Sequence, residues 1–208
     1  MGKVLALKGL SKRFGSVQAN EAIDLDLNKG EVLALLGENG SGKTTLMNML
    51  FGHYLPDTGS IDVADRQGSL QPLTLGHPQI SLTKGIGMVH QHFTLAENLN
   101  ALDNIVLGTE PLISFKRNTG YALKKLEKIM HETGLFAPLD VSVGKLSVGE
   151  RQRIEILKAL YRDVRILVLD EPTAVLTPQE ADDLFDNINT MAKNGLSVIL
   201  ISHKLHEV

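Results

Sequence analysis

Short apolar runs, separated by polar and glycine-rich breaks, set the rhythm of this chain. Val4 to Lys8 and Ala22 to Leu27 predict strands, the second alternating apolar and acidic residues. Lys12-Arg13-Phe14-Gly15-Ser16 between them reads as a loop, and Asn28-Lys29-Gly30 as a turn. Glu31 to Leu36 is an apolar run of the kind buried on both faces of a sheet. A glycine-rich loop follows, then a helix from Thr44 to Phe51. The strand pattern returns at Ile86 to His90, at Arg165 to Leu169 with Asp170 at its end, and at Ser197 to Ile201. Pro56 to Gly85, rich in Gly, Pro, Ser and Thr, predicts short edge strands and loops.

Helical periodicity takes over between Thr94 and Gly144, most clearly from Tyr121 to Glu132, with breaks at Pro111, Gly134 and Pro138. This stretch predicts a helical lobe inserted into an α/β domain. Ser147 is placed to cap a helix running to Tyr161. Thr177-Pro178-Gln179-Glu180 predicts a capping box with proline in the first turn, the helix running to about Lys193 and ending at Gly195. Strands alternating with helices argue for a mainly parallel sheet covered on both faces.

The chain has 208 residues, enough for one domain with a small inserted lobe. Its net charge of -3 gives no nucleic-acid footprint in the bulk composition, and the absence of cysteine excludes disulfides and thiolate metal sites. No apolar run approaches the roughly 20 residues that span a bilayer, and Met1-Gly2-Lys3-Val4-Leu5 turns polar too soon for a signal segment. Any membrane role is expected to run through a partner. Lys124, Lys125 and Lys128 read as a solvated helix face, and His90 with His92 lacks an obvious third metal ligand.

Gly37-Glu38-Asn39-Gly40-Ser41-Gly42-Lys43-Thr44 fits G-x-x-x-x-G-K-[ST] between a strand and a helix. Such glycines let backbone N–H groups turn inward around phosphate oxygens, and the helix adds its positive end. Lys43 is expected to reach the β- and γ-phosphates of ATP, Thr44 to hold Mg²⁺, and Thr45 to donate to the α-phosphate. Ile166-Leu167-Val168-Leu169 carries Asp170 and Glu171 to the carboxyl edge of the sheet. Asp170 is expected to orient Mg²⁺ and Glu171 to polarise the attacking water.

With these motifs, Leu146-Ser147-Val148-Gly149-Glu150-Arg151-Gln152-Arg153 resembles the signature of ABC-transporter nucleotide-binding domains. The resemblance covers nearly the whole chain. It implies a P-loop NTPase of RecA-like α/β fold with an N-terminal antiparallel β subdomain and an inserted α-helical subdomain. Residues 1–93 and 161–208 would form the catalytic core and 94–160 the helical subdomain. It further implies that Gln91 contacts Mg²⁺ and water, that Phe14 stacks on adenine, and that His203 lies near the γ-phosphate. Ser147 and Gly149 would serve the ATP held by a second ABC ATPase domain.

The sequence departs from the family pattern at Val148 and Glu150 in the signature, and at Thr177, where the D-loop usually ends in aspartate. These departures resemble the N-terminal half of tandem ATPases of bacterial simple-sugar and nucleoside importers. That resemblance implies transmembrane permease subunits and, indirectly, a solute-binding protein as partners, with no nucleic acid. The place would be the inner face of the bacterial plasma membrane. The chain reads as truncated soon after His203, or as the first half of a longer protein. Two readings stay beside it: a soluble ABC ATPase acting on DNA or ribosomes, and an ATP-binding half-site with weak turnover.

Overall fold

A computed structural model describes residues 2–109 and 119–205. Pro111, expected to interrupt the helical lobe, lies outside them. The first strands, β1 (Lys3–Phe14) and β2 (Val17–Asn28), form an antiparallel hairpin, and β4 (Thr58–Ala64) and β5 (Leu70–Pro72) extend it in the order β2-β1-β4-β5. The second sheet is parallel. It contains β3 (Val32–Leu36), β6 (Ile86–Val89), β7 (Ile166–Asp170) and β8 (Ser197–Ser202), in the order β3-β8-β7-β6. The expected α/β architecture is therefore present, with the parallel sheet matched by an antiparallel sheet of equal strand number.

The parallel sheet is buried on both faces, and its side chains divide by the two-residue period of a strand. Ile166, Val168, Ile199 and Ile201 face a core shared with α1 (Lys43–Phe51) and the antiparallel sheet. Leu167, Leu169, Val198 and Leu200 face the opposite core. That core takes residues from α3 (Ala101–Val106), α4 (Thr119–Thr133), α5 (Val148–Leu160) and α6 (Pro178–Lys193).

Two local expectations are corrected. Lys12, Arg13 and Phe14 belong to β1, not to a loop, and pair with Asn20, Gln18 and Val17. Only Gly15 and Ser16 turn the chain. The polar strand end is held from a distance: Asp57 accepts from Lys12 Nζ at 2.9 Å and from the Arg13 amide at 2.7 Å. The Pro56–Gly85 stretch holds β4, β5 and also a short helix, α2 (Pro78–Thr83), whose proline sits in the first turn. Packing fixes it, with Ser81 fully buried and its hydroxyl donating to the Leu50 carbonyl at 3.2 Å.

The helix ends follow the expected chemistry. Ser147 with Glu150, and Thr177 with Glu180, form capping boxes at the starts of α5 and α6. Tyr161 is the C-cap of α5, and Asn194 that of α6, followed by Gly195 at φ 95°.

Candidate functional site

Strand register brings the candidate residues to one edge. Leu36 pairs with Ser202, Ile201 with Asp170, and Leu169 with Val89. The next residues along each strand are therefore Gly37, His203, Glu171 and His90, with Gln91 following. All emerge at the carboxyl ends of parallel strands, where α/β sheets place ligands.

A cleft of about 480 Å³ opens there. Its wall contains the loop residues Asn39 to Thr45, together with Phe14, Gln91, Asp170 and Glu171. Gly40 and Gly42 have φ of 84° and 89°, a region that L side chains rarely adopt. At Gly42 there is also no room, because a Cβ would overlap the Ala19 carbonyl. The Lys43 ammonium folds back over its own loop, donating to the carbonyls of Gly37 at 2.7 Å and Glu38 at 2.8 Å. It thus spans the loop with its charge held at the mouth of the cleft.

Asp170 is buried at the end of β7. Burial raises its carboxyl above the ordinary range; the Thr44 hydroxyl pulls the other way, the neighbouring Glu171 raises it further, and His90 and Lys43 lower it. A hydroxyl, a carboxylate and the Gln91 amide around one cleft form a hard-oxygen donor set, which suits Mg²⁺. Among the described residues, no group of three or more His, Cys, Asp or Glu is placed to hold a metal alone. A divalent ion here would complete its shell with oxygens from outside these side chains, water or phosphate.

Glu171 sits at φ 48°, one of three non-glycine residues with positive φ among those described. Such strain persists only where surroundings over-determine it. Here the Glu171 amide donates to the Ile201 carbonyl at 3.0 Å, and the side chain meets His203 Nδ1 at 3.0 Å. That contact orients the His203 ring against the Glu171 carboxyl. His203 thus reaches the cleft through Glu171.

Phe14 stands at the hairpin end, 44% exposed, with the Lys12 ammonium over its ring at 5.5 Å. The Tyr54 ring meets it edge-to-face at 5.4 Å.

Ser147 and Gly149 are not in this cleft. They lie at the start of α5, where the Ser147 hydroxyl accepts from the Glu150 amide at 3.2 Å and the Ser147 amide donates to Glu150 Oε2 at 2.8 Å. Gly149 is packed against α6, and a Cβ there would overlap Glu180 Oε1. Its lack of a side chain therefore has a reason inside this chain. Thr177, the departure in the D-loop, caps α6 through Glu180: its hydroxyl accepts from the Glu180 amide at 3.3 Å and donates to Glu180 Oε2 at 2.8 Å, a donation aspartate cannot make.

Residues 20–174, about three quarters of the chain, match the ABC transporter family model. The chain belongs to the ABC transporter family. It is 43% identical over 205 residues to the nucleoside import ATP-binding protein NupA of Lactococcus lactis subsp. cremoris, covering 99% of this chain and 40% of that one. It is 41% identical over 209 residues to the ribose import ATP-binding protein RbsA of Caldanaerobacter subterraneus subsp. tengcongensis, covering 100% of this chain and 41% of that one. The chain spans about two fifths of the length of the curated relatives it matches. A crystal structure of an ATP-binding cassette of an ABC transporter, in its ADP conformation, matches with a TM-score of 0.87 at 26% identity. It covers 100% of this chain and 84% of that one.

In this ABC transporter chain the sequence reading missed the back wall of the cleft. Val17, Gln18 and Ala19 of β2 line it. Buried Asn20 donates to the Gly42 carbonyl at 3.3 Å, and Gln18 to the Asn20 carbonyl at 2.6 Å. Nothing local marks these residues, because the predicted strand began only at Ala22. Tyr54 was missed for the same reason: only the fold brings it to Phe14.

Proposed function

We propose that this chain is the ATP-binding domain of an importer for a small polar solute, a simple sugar or a nucleoside, and that it hydrolyses ATP. The observation that carries this is the convergence of Lys43, Thr44, Asp170 and Glu171 on one cleft, with His203 against Glu171. The relatives' names as nucleoside and ribose import proteins support the solute class. Among the described residues no helix is long and apolar enough to cross a membrane. The membrane step then belongs to permease subunits, with this domain on their cytoplasmic side. Residues 1–93 and 161–208 act as the catalytic core and 94–160 as the helical lobe.

In this reading Phe14 stacks on the base, and loop residues Gly37, Asn39, Gly40, Ser41, Gly42 and Thr45 hold the phosphates. Lys43 leaves its loop carbonyls for the terminal phosphates. Thr44, Gln91 and Asp170 would hold Mg²⁺, which would supply neutralising charge to the phosphate oxygens. Glu171 orients and polarises the attacking water. His203 holds Glu171 in place and lies near the γ-phosphate. Ser147 and Gly149 face the nucleotide of a second ATPase domain. A groove of about 930 Å³ between Met88, Thr94, Tyr121 and Lys158 is the surface on which the permease bears.

The test is Glu171→Gln in the full-length protein. Mg-dependent hydrolysis is expected to fall by about 100-fold or more, with ATP affinity retained. Hydrolysis at the unaltered rate would refute the role given to Glu171. Absence of a membrane permease among co-purifying proteins would refute the transport role.

A further inference from the structure

Glu155 is a buried carboxylate that none of the steps above uses. It lies on α5, two turns beyond Ser147, and its residue is only 7% exposed. Its Oε1 accepts from both the backbone amide and the hydroxyl of Thr94, the hydroxyl at 2.9 Å. Lys158, one turn on, closes the arrangement. Its Nζ donates to Thr94 Oγ1 at 3.1 Å and stands 3.7 Å from Glu155 Oε2.

Thr94 comes three residues after Gln91 and 61 residues before Glu155. Just beyond it the chain is tied again, the Ala96 amide donating to buried Asn104 of α3 at 2.7 Å. The segment leaving Gln91 is thus fixed to the helical lobe at its first opportunity. A buried ion pair is a poor source of stability, since desolvation offsets its attraction. It does impose one register, because a carboxylate left without these donors would be buried unpaired. Thr94, Glu155 and Lys158 also line the 930 Å³ groove, while Gln91 lines the nucleotide cleft.

We propose that Glu155 is a positioning residue for Gln91: through Thr94 it locks the Gln91 loop to the helix that carries Ser147. A shift of α5, or pressure in the groove, then moves Gln91 relative to Asp170 and changes turnover without changing how ATP is held. This rests on the reading of the cleft as a Mg-dependent ATPase site.

The test uses the full-length protein. Glu155→Ala is expected to lower kcat about tenfold and to leave KM for ATP within about twofold, since the phosphate loop and Phe14 are untouched. Glu155→Gln keeps an acceptor for the Thr94 amide and is expected to recover most of the rate, and it remains readable if the alanine variant does not fold. In a cycle with Gln91→Ala, the double variant is expected to lose no more than Gln91→Ala alone. An unchanged kcat in Glu155→Ala, or losses that multiply, would overturn the proposal. Amide hydrogen exchange reports the lock without turnover. The Thr94 amide is expected to be protected in the unaltered protein and to exchange quickly in Glu155→Ala; equal exchange in both overturns it. A full-length protein that binds ATP without hydrolysing it would sink the ATPase reading instead. The same cycle, read on the Mg²⁺ dependence of ATP affinity, then still decides the role of Glu155.

Discussion

The phosphate-loop edge and the signature edge are both built on helix N-termini, yet they treat their polar groups in opposite ways. At α1 the N-cap is Gly42, with no side chain to satisfy the first amides and no acid in the first turn. The residues that carry those amides line the cleft, Lys43 among them. At α5 the N-cap is Ser147, and Glu150 closes a capping box over it. Glu180 of α6 packs against Gly149 beside it. The first edge has no such cap, whereas the second is closed by the Ser147–Glu150 capping box of its own chain. On the proposed function, the first edge holds a nucleotide by itself, and the second serves a nucleotide brought by a second domain.

The largest break in this comparison is expected from Lys43→Ala, which removes the only side-chain cation of the loop. MgATP affinity should fall by about 100-fold or more in a calorimetric titration, on the scale of a lost charge-assisted phosphate contact. Asp170→Asn comes next and separates binding from stability. Burial raises the Asp170 carboxyl, so in the nucleotide-free protein the folded state holds that proton more tightly than the unfolded state. Its contribution to stability is present at low pH and declines as pH rises through the window from the ordinary carboxylate value to the raised one. Asp170→Asn should flatten that part of the Tm–pH profile and raise Tm near neutrality, while Mg-dependent hydrolysis is lost.

Two smaller effects probe the signature edge. Gly149→Ala places a methyl where Glu180 Oε1 lies; the carboxylate can swing aside only by loosening its bonds to Thr177, so a thermal melt should show about 1 kcal/mol of destabilisation. Combining it with Glu180→Ala should relieve the clash but lose the α6 capping box, leaving a deficit of about 1 kcal/mol. A comparable effect belongs to Thr177. Thr177→Asp keeps an acceptor for the Glu180 amide but loses the hydroxyl that donates to Glu180 Oε2, so it and Thr177→Ala are each expected to cost about 1 kcal/mol. A large loss with aspartate would show that Thr177 does more than cap.

What the sequence made legible follows the range of the interactions. The phosphate loop, the acids ending β7 and the Thr177–Glu180 box are each determined within a few residues, and the fold has them where the pattern predicts. Lys12 to Phe14 reads as a loop because its strand is polar and depends on Asp57, more than forty residues away. Helix α2 is hidden in a stretch of turn-forming residues and is fixed by packing on Leu50. The reasons for Gly149 and Glu155 were equally out of reach, since their partners are Glu180 and Thr94. In the candidate site the residues of each motif are close in sequence and readable as a motif. The supporting contacts, Asn20 beneath Gly42 and Tyr54 against Phe14, were long-range and were not.

The division of labour between the two edges is tested most directly by adding Ser147→Ala to full-length Glu171→Gln and titrating with MgATP. Nucleotide affinity and closure of the two ATPase domains would be followed together, closure by an inter-domain distance probe. The expected result is ATP affinity within about twofold of the Glu171→Gln parent, with closure lost. An affinity loss as large as that of Lys43→Ala, with closure unaffected, would contradict the assignment of Ser147 to a nucleotide held elsewhere.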